Sequence, residues 1–335
     1  MAQIAALYPN DVGIRNHPSV IYATSFNSAN WSSTDFPSNT QVVYLGGTDP
    51  AARPQWSGDE AYTGAGSLLH KQLAGTTKPS GITIMGFPGV DEIYMRWYRK
   101  YQAGYRWGCQ SSKNNGVYAI ADPSKNEACV QPNGYDKFSF RAQDDRRSSG
   151  SGEFFGALYS YHPHANNGGC GEWYPQNQGA VKYQQPGNWY SYEIYIRANT
   201  VGQWNGVLKM WIDGELRGHQ EGLEFRYTDQ LKINQVYLFG AMTVCTTPYT
   251  QMVWDDNLVV ATKYIGPMVT VSPASPIDLR IGGSGRGSGR GSAKSANEPQ
   301  GRTQLRAVSL FPHQLLPSPM GTPTQCPLFL QDRGL

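Results

Sequence analysis

Apolar residues in this chain recur at every second position within short runs, and no window of a dozen residues repeats them at helical spacing. Period two marks a half-buried strand, because successive strand side chains point to opposite faces. The run 189–197 displays it: Tyr190, Tyr192, Ile194 and Ile196 fall on one face, Ser191, Glu193 and Arg197 on the other. Strand-like runs are read at VIYATSF (20–26), SLLHKQL (67–73), EIYMRWYRKY (92–101), GVYAIA (116–121) and KFSFRAQ (137–143). They continue at EFFGALYSY (153–161), WYSYEIYIRA (189–198), GVLKMWI (206–212), NQVYLFGAM (234–242) and QMVWDDNLVVATKYI (251–265). Asp213-Gly214 fits a tight hairpin turn, since Gly permits a positive φ and Asp tolerates it. Such runs, punctuated by Gly, Pro and Asn, predict an all-β fold of two packed antiparallel sheets.

At 335 residues the chain could hold two domains, but its style changes abruptly near Pro267. Residues 17–267 carry the strand rhythm, and residues 1–16 read as a short leader. From 268 to 335 a Gly/Ser/Arg segment gives way to Pro- and Gln-rich sequence without alternation, and a disordered tail is expected. Charge divides the same way. Seven Lys and Arg against three acids make the tail +4, so the body, with 21 basic and 22 acidic residues, is −1 although the whole chain is +3. A near-neutral body has no broad cationic footprint for nucleic acid, so an acidic partner must meet a local cluster of cations.

No run approaches the ~20 apolar residues that span a bilayer. The start, MAQIAALYPNDVG, has no basic region and too short an apolar run for a secretory signal. Cys109, Cys129, Cys170 and Cys245 nevertheless suit an extracellular or cell-surface protein, as two disulfides or as free thiols. Among the possible pairings Cys109–Cys129, which would close one long loop, is favoured. A monomer is expected.

Three segments set cations, hydroxyls and phenols at alternate positions: Ser112-Lys113-Asn114, Phe138-Ser139-Phe140-Arg141 and Tyr159-Ser160-Tyr161-His162. Period two puts Ser139 and Arg141 on one face of their strand, and Tyr159 and Tyr161 on one face of theirs. Each also has a plainer reading. Tyr-x-Tyr suits cross-strand packing, Arg141 a solvated edge, and Lys113 an exposed loop.

The frame segments HPSVIYATSF, GNWYSYEIYIRANTVGQWNGVLKMWIDGE and VWDDNLVVATKYIGP, together with the order Lys, Ser-x-Arg, Tyr-x-Tyr, resemble the concanavalin-like polysaccharide lyases. In particular they resemble polysaccharide lyase family fourteen, which includes alginate and glucuronan lyases. The resemblance spans residues 17–267. It implies a β-jelly-roll sandwich of the concanavalin A-like lectin/glucanase type, no cofactor, and an acidic polysaccharide as substrate. It also implies catalytic roles for Lys113, Arg141, Tyr159 and Tyr161, with Ser139 binding substrate.

The chemistry asks for those residue types. A polyuronate lyase removes the proton α to the uronate carboxylate and expels the glycosidic oxygen at the β position. That C–H is very weakly acidic until a cation such as Arg141 or Lys113 offsets the charge developing on the carboxylate. A phenol, Tyr161 or Tyr159, can take the proton and return it to the leaving oxygen if a neighbouring cation lowers its pKa. His162, next to Tyr161, is a further candidate for contact with substrate. A non-catalytic carbohydrate-binding or adhesive module of the same fold is the alternative. Asp255-Asp256-Asn257 could offer oxygens to a structural Ca²⁺. His162-Pro163-His164 lacks the paired spacing of a zinc site, and no Glu-x-Asp-x-Glu run favours glycoside hydrolysis.

Overall fold

A computed structural model describes residues 3–35, 41–44, 50–76, 81–107, 111–122, 129–148, 151–166, 170–240 and 246–270. Among these residues lie β1 (Val20–Thr24), β2 (Gln41–Tyr44), β3 (Gln55–Ser57), β4 (Ser67–Gln72) and β5 (Gly81–Val90). Next come β6 (Glu92–Tyr101), β7 (Ser111–Ile120), β8 (Lys137–Arg146), β9 (Phe154–Tyr161) and β10 (Glu172–Tyr174). The last are β11 (Trp189–Arg197), β12 (Gly206–Ile212), β13 (Glu215–Leu223), β14 (Ile233–Phe239) and β15 (Gln251–Ala261). They pair into two antiparallel sheets, as the alternation predicts, in the jelly-roll sandwich that the family resemblance implies. The first runs β13-β12-β11-β6-β15-β4-β3, with β1 also on β15; the second runs β10-β9-β8-β7-β14-β5-β2.

One face of each sheet meets the other. Met95, Trp97, Tyr192, Ile194 and Ile196 from the first sheet pack with Val117, Phe138, Phe140, Leu158, Val236 and Leu238 from the second. Burying a side chain of this size contributes about 1.5–3 kcal/mol. The alternation in 189–197 is thus honoured, with Tyr192, Ile194 and Ile196 inward.

The outer faces differ, and that difference places the site. The outer face of the first sheet is covered by its own chain: Ile4, Ile14, Tyr264 and Ile265 pack on Tyr94, Tyr195 and Trp211. Residues 3–16, read above as a leader, are built into the body. Ile4 and Ala5 donate backbone hydrogen bonds to Tyr264 and Ile265, and the buried Arg96 pairs with Asp11. The outer face of the second sheet carries the polar and phenolic residues instead.

Several strands escaped the sequence pattern. β3 and β10 are three residues each, too short to show a period. β13 is a polar edge strand with little buried on either face, and β5 is broken by Gly and Pro. Asp213 and Gly214 both adopt positive φ, 50° and 78°, in the β12–β13 hairpin as expected. The disulfide expectation is corrected: Cys129 pairs with Cys170, not with Cys109. Cys109, Cys245, Cys326 and the tail beyond residue 270 lie outside the described residues.

Candidate active site

Strand β8 sets the pattern of the site. Phe138, Phe140 and Ala142 go inward to the core, so Ser139, Arg141, Gln143 and Asp145 share the outer face. Antiparallel register carries the same face across the neighbouring strands. On β9, Tyr161 lies opposite Ser139 and Tyr159 opposite Arg141. On β7, Tyr118 lies opposite Ser139, Gly116 opposite Arg141 and Lys113 opposite Gln143. Beyond them Tyr237 of β14 pairs with Gly116, and Trp173 of β10 pairs with Tyr159. Lys113, Ser139, Arg141, Tyr159 and Tyr161 therefore stand on one face.

Arg141 is the centre of the cluster. It is only 5% exposed, yet no Asp or Glu among the described residues forms an ion pair with it. Its Nη2 donates to Gln143 Oε1 at 3.3 Å, and its Nε has no hydrogen-bond partner among the described residues. Its guanidinium carbon lies 4.1 Å from the Tyr159 ring centroid and 5.9 Å from that of Tyr161. Burial works against the charge, but the phenol oxygens of Tyr237, Tyr161, Tyr159 and Tyr118 outweigh it and hold the Arg141 pKa above its ordinary value. A buried cation surrounded by phenols, with no carboxylate among the described residues close enough to form an ion pair, is a site short of an anion.

Tyr237 stands next to it. Burial pushes its phenol pKa well up and Tyr118 adds to the rise, while Arg141 works the other way. The buried Tyr237 hydroxyl has no well-formed hydrogen bond. Gly116 makes the room: a Cβ there would lie 2.5 Å from Arg141 Cβ and 2.6 Å from the Tyr237 oxygen. Lys113 Nζ lies 5.6 Å from the Phe239 ring centroid, on the side of the cluster toward β14.

Along β8 the cluster ends at Asp145, whose carboxylate accepts the Trp173 indole N–H at 2.6 Å and a longer bond from Gln143 at 3.4 Å. Burial raises the Asp145 pKa to about 7, with the hydrogen bonds from Trp173 and Gln143 opposing the rise. Trp173 itself is 42% exposed, an indole face turned to solvent beside the phenols. Trp173 is one of five tryptophans, with Trp97, Trp107, Trp204 and Trp211, that the sequence offers as sugar-stacking platforms; Tyr118, Tyr237 and Asp145 were not singled out from sequence. Tyr237 could have been, since Gln235, Tyr237 and Phe239 alternate with the apolar Val236 and Leu238.

Two expectations do not join the cluster. His162 follows Tyr161 directly, so the alternation that brings Tyr161 outward turns His162 the other way. It is buried against Phe225, and its Nε2 lies 3.1 Å from Glu172 and 3.0 Å from the Tyr174 hydroxyl. A substrate-binding role for His162 is therefore withdrawn. Asp255 and Asp256 lie in β15 of the other sheet with their oxygens taken by donors. Asp255 meets Arg99, His70 and Asn115; Asp256 accepts the backbone N–H groups of Tyr62, Thr63 and Asn257. Burial tends to raise the Asp255 pKa, but Arg99 and His70 overcome it and bring it to about 2. Among the described residues no group of three or more His, Cys, Asp or Glu is placed to hold a metal ion.

Comparison with known proteins adds a family and a fold. Residues 89–253 match the profile of the family described as Polysaccharide lyase 14, and this segment contains every member of the cluster. No curated protein sequence matches the chain. Among solved structures, alginate lyase Aly36B is similar at 17% identity and a TM-score of 0.55, over 76% of this chain and 96% of that one. A variant of Aly36B in complex with alginate trisaccharide gives 16% identity and a TM-score of 0.57, over 73% and 99%. Alginate lyase vAL-1 from Chlorella virus gives 13% identity and 0.55, over 73% and 100%. At these identities the structural likeness speaks for the fold.

Proposed function

Over residues 89–253 the chain belongs to the polysaccharide lyase 14 family, and from that premise we propose that it cleaves a polyuronate by β-elimination on the outer face of the second sheet. The observation that carries the reading is the buried Arg141, with no acidic ion-pair partner among the described residues and with Tyr159, Tyr161 and Tyr237 around it. A uronate carboxylate supplies the missing anion. Bound there, with Lys113 on the adjoining strand, its α proton becomes acidic enough to leave, because the enolate-like charge forms against fixed cations.

One tyrosine of the Tyr159–Tyr161 pair, acting as its phenolate, takes that proton to become a phenol, and a phenol hydroxyl gives a proton to the glycosidic oxygen as the bond at the β carbon breaks. The electron pair of the C–H bond becomes the new double bond, and the leaving sugar departs with its oxygen protonated. Tyr237, held protonated by burial, donates a hydrogen bond to the substrate, and Ser139 orients it from the facing position on β8. Trp173 offers a face on which a neighbouring sugar ring stacks. The similar lyases act on alginate, which makes alginate and glucuronan the substrates to try first. The Cys129–Cys170 disulfide supports placing the protein in an oxidising compartment outside the cell.

The test is direct. Folded protein mixed with glucuronan or alginate should generate the ultraviolet absorbance of a conjugated, unsaturated uronate. Polymer that binds without any such absorbance would make the protein a carbohydrate-binding module instead.

A further inference from the structure

Two residues three positions apart point to opposite faces of a regular strand. Lys113 and Gly116 are three apart, yet both stand on the outer face, because β7 carries a bulge between them. Lys113 lies opposite Gln143 and Gly116 opposite Arg141, so three steps of β7 match two of β8. The extra residue is absorbed by Asn114 and Asn115, which both turn inward and are fully buried.

Their amides are fixed on every side. Asn114 Nδ2 donates to Asp144 Oδ2 at 2.8 Å, and Asn114 Oδ1 accepts the Asn115 backbone N–H at 2.7 Å. Asn115 Oδ1 accepts from Arg99 Nη2 at 2.9 Å and from the Phe239 backbone N–H at 2.8 Å; its Nδ2 donates to Asp255 Oδ2 at 3.1 Å. Arg99 forks onto Asp255 with two bonds of 2.8 Å, and His70 Nε2 meets the same carboxylate at 3.1 Å. Tyr101 and Tyr192 donate to Asp144 at 2.5 and 2.8 Å. The network thus ties the bulge to β4, β6, β11 and β15 of the opposite sheet.

Apolar side chains would fill this interior with no desolvation cost, so a buried network of this size needs another reason to exist. Bulges re-aim side chains, and this one aims Lys113. We propose that Asn114 and Asn115, anchored by Asp144 and by the Arg99–Asp255 pair, are positioning residues whose bulge holds the Lys113 ammonium on the catalytic face. The proposal rests on the lyase reading above.

A double-mutant cycle tests it, with kcat/KM on polyuronate as the readout and thermal unfolding to confirm folding. Lys113→Ala and Asn114→Ala should each lower kcat/KM by about tenfold to a hundredfold, the loss of one charge-assisted contact. The double variant should fall no further than Lys113→Ala alone, and Asn114→Ser, which keeps an acceptor for the Asn115 N–H, should recover part of the loss. If Asn114→Ala does not fold, Asn114→Ser runs through the same cycle with the same expectation. Losses that multiply in the double variant, or an Asn114 variant as active as the parent, overturn the positioning role. A parent inactive on every polyuronate, or Lys113→Ala at full activity, instead defeats the reading beneath it.

Discussion

Replacing Arg141 by Met should leave the protein at least as stable while removing its activity. The side chain is 5% exposed, so its charge has left water without an ionic partner to compensate. Two interactions offset the cost: the cation–π contact with Tyr159 at 4.1 Å, at about 1–2 kcal/mol, and a long bond to Gln143 at 3.3 Å, at about 1 kcal/mol. Desolvation of a buried ion costs several kcal/mol even after relaxation, which exceeds the return from these two contacts, and the surrounding phenols act on the charge only as dipoles for as long as they keep their protons. Met fills similar space without a charge. Stability should therefore be unchanged or rise by up to about 2 kcal/mol, which corresponds to at most about 4–8 °C in melting temperature. Catalysis moves the other way. Two charged hydrogen bonds to the substrate carboxylate, at about 1.5–3 kcal/mol each, correspond to a loss of about 10²–10⁴ in kcat/KM. Urea unfolding and the unsaturated-uronate absorbance read the two effects separately. An Arg141→Met protein that is destabilised by more than about 2 kcal/mol yet retains turnover would refute the reasoning, since Arg141 would then be a packing residue.

Three further outcomes follow from the geometry. Of Tyr161→Phe and Tyr159→Phe, the variant that removes the base should lower kcat by about 10²–10⁴ with KM little changed, as steady-state kinetics on polyuronate would show; equal and slight effects from both would remove the phenol mechanism. As pH rises through about 7, Asp145 ionises beside Arg141 and weakens its hold on an acidic polymer, so KM should climb above that pH and Asp145→Asn should flatten the climb. The sign for stability is the same: because the folded pKa lies above the usual 3.8, the contribution of Asp145 is full below that value and is lost as pH approaches about 7. Removing the Cys129–Cys170 bond, which links residues 41 apart in sequence, should cost about 4 kcal/mol in denaturant unfolding.

Much of this was legible before any coordinates, for a definite reason. Alternation is a local property, so β6 and β12 were readable to the residue, and so were the pairs Ser139 with Arg141 and Tyr159 with Tyr161. What joins the pairs is cross-strand register, which depends on partners far away in sequence. Tyr237 was missed, and Trp173 could not be placed beside Tyr159, because their neighbours on β7 and β9 are not their neighbours in the chain. The start of β7 was missed because its bulge breaks the alternation at Asn114 and Asn115. His162 was misjudged against a rule the sequence itself supplied, since residues adjacent on a strand cannot share a face. The disulfide was out of reach, because sequence spacing does not reveal which loops meet in space.

The most direct test of the catalytic face is a crystal structure of the Tyr161→Phe variant soaked with a uronate trisaccharide. One sugar carboxylate should lie within about 2.7–3.2 Å of the Arg141 guanidinium, with Lys113 on the adjoining side. A trisaccharide seated elsewhere on the molecule, with Arg141 untouched, would contradict it.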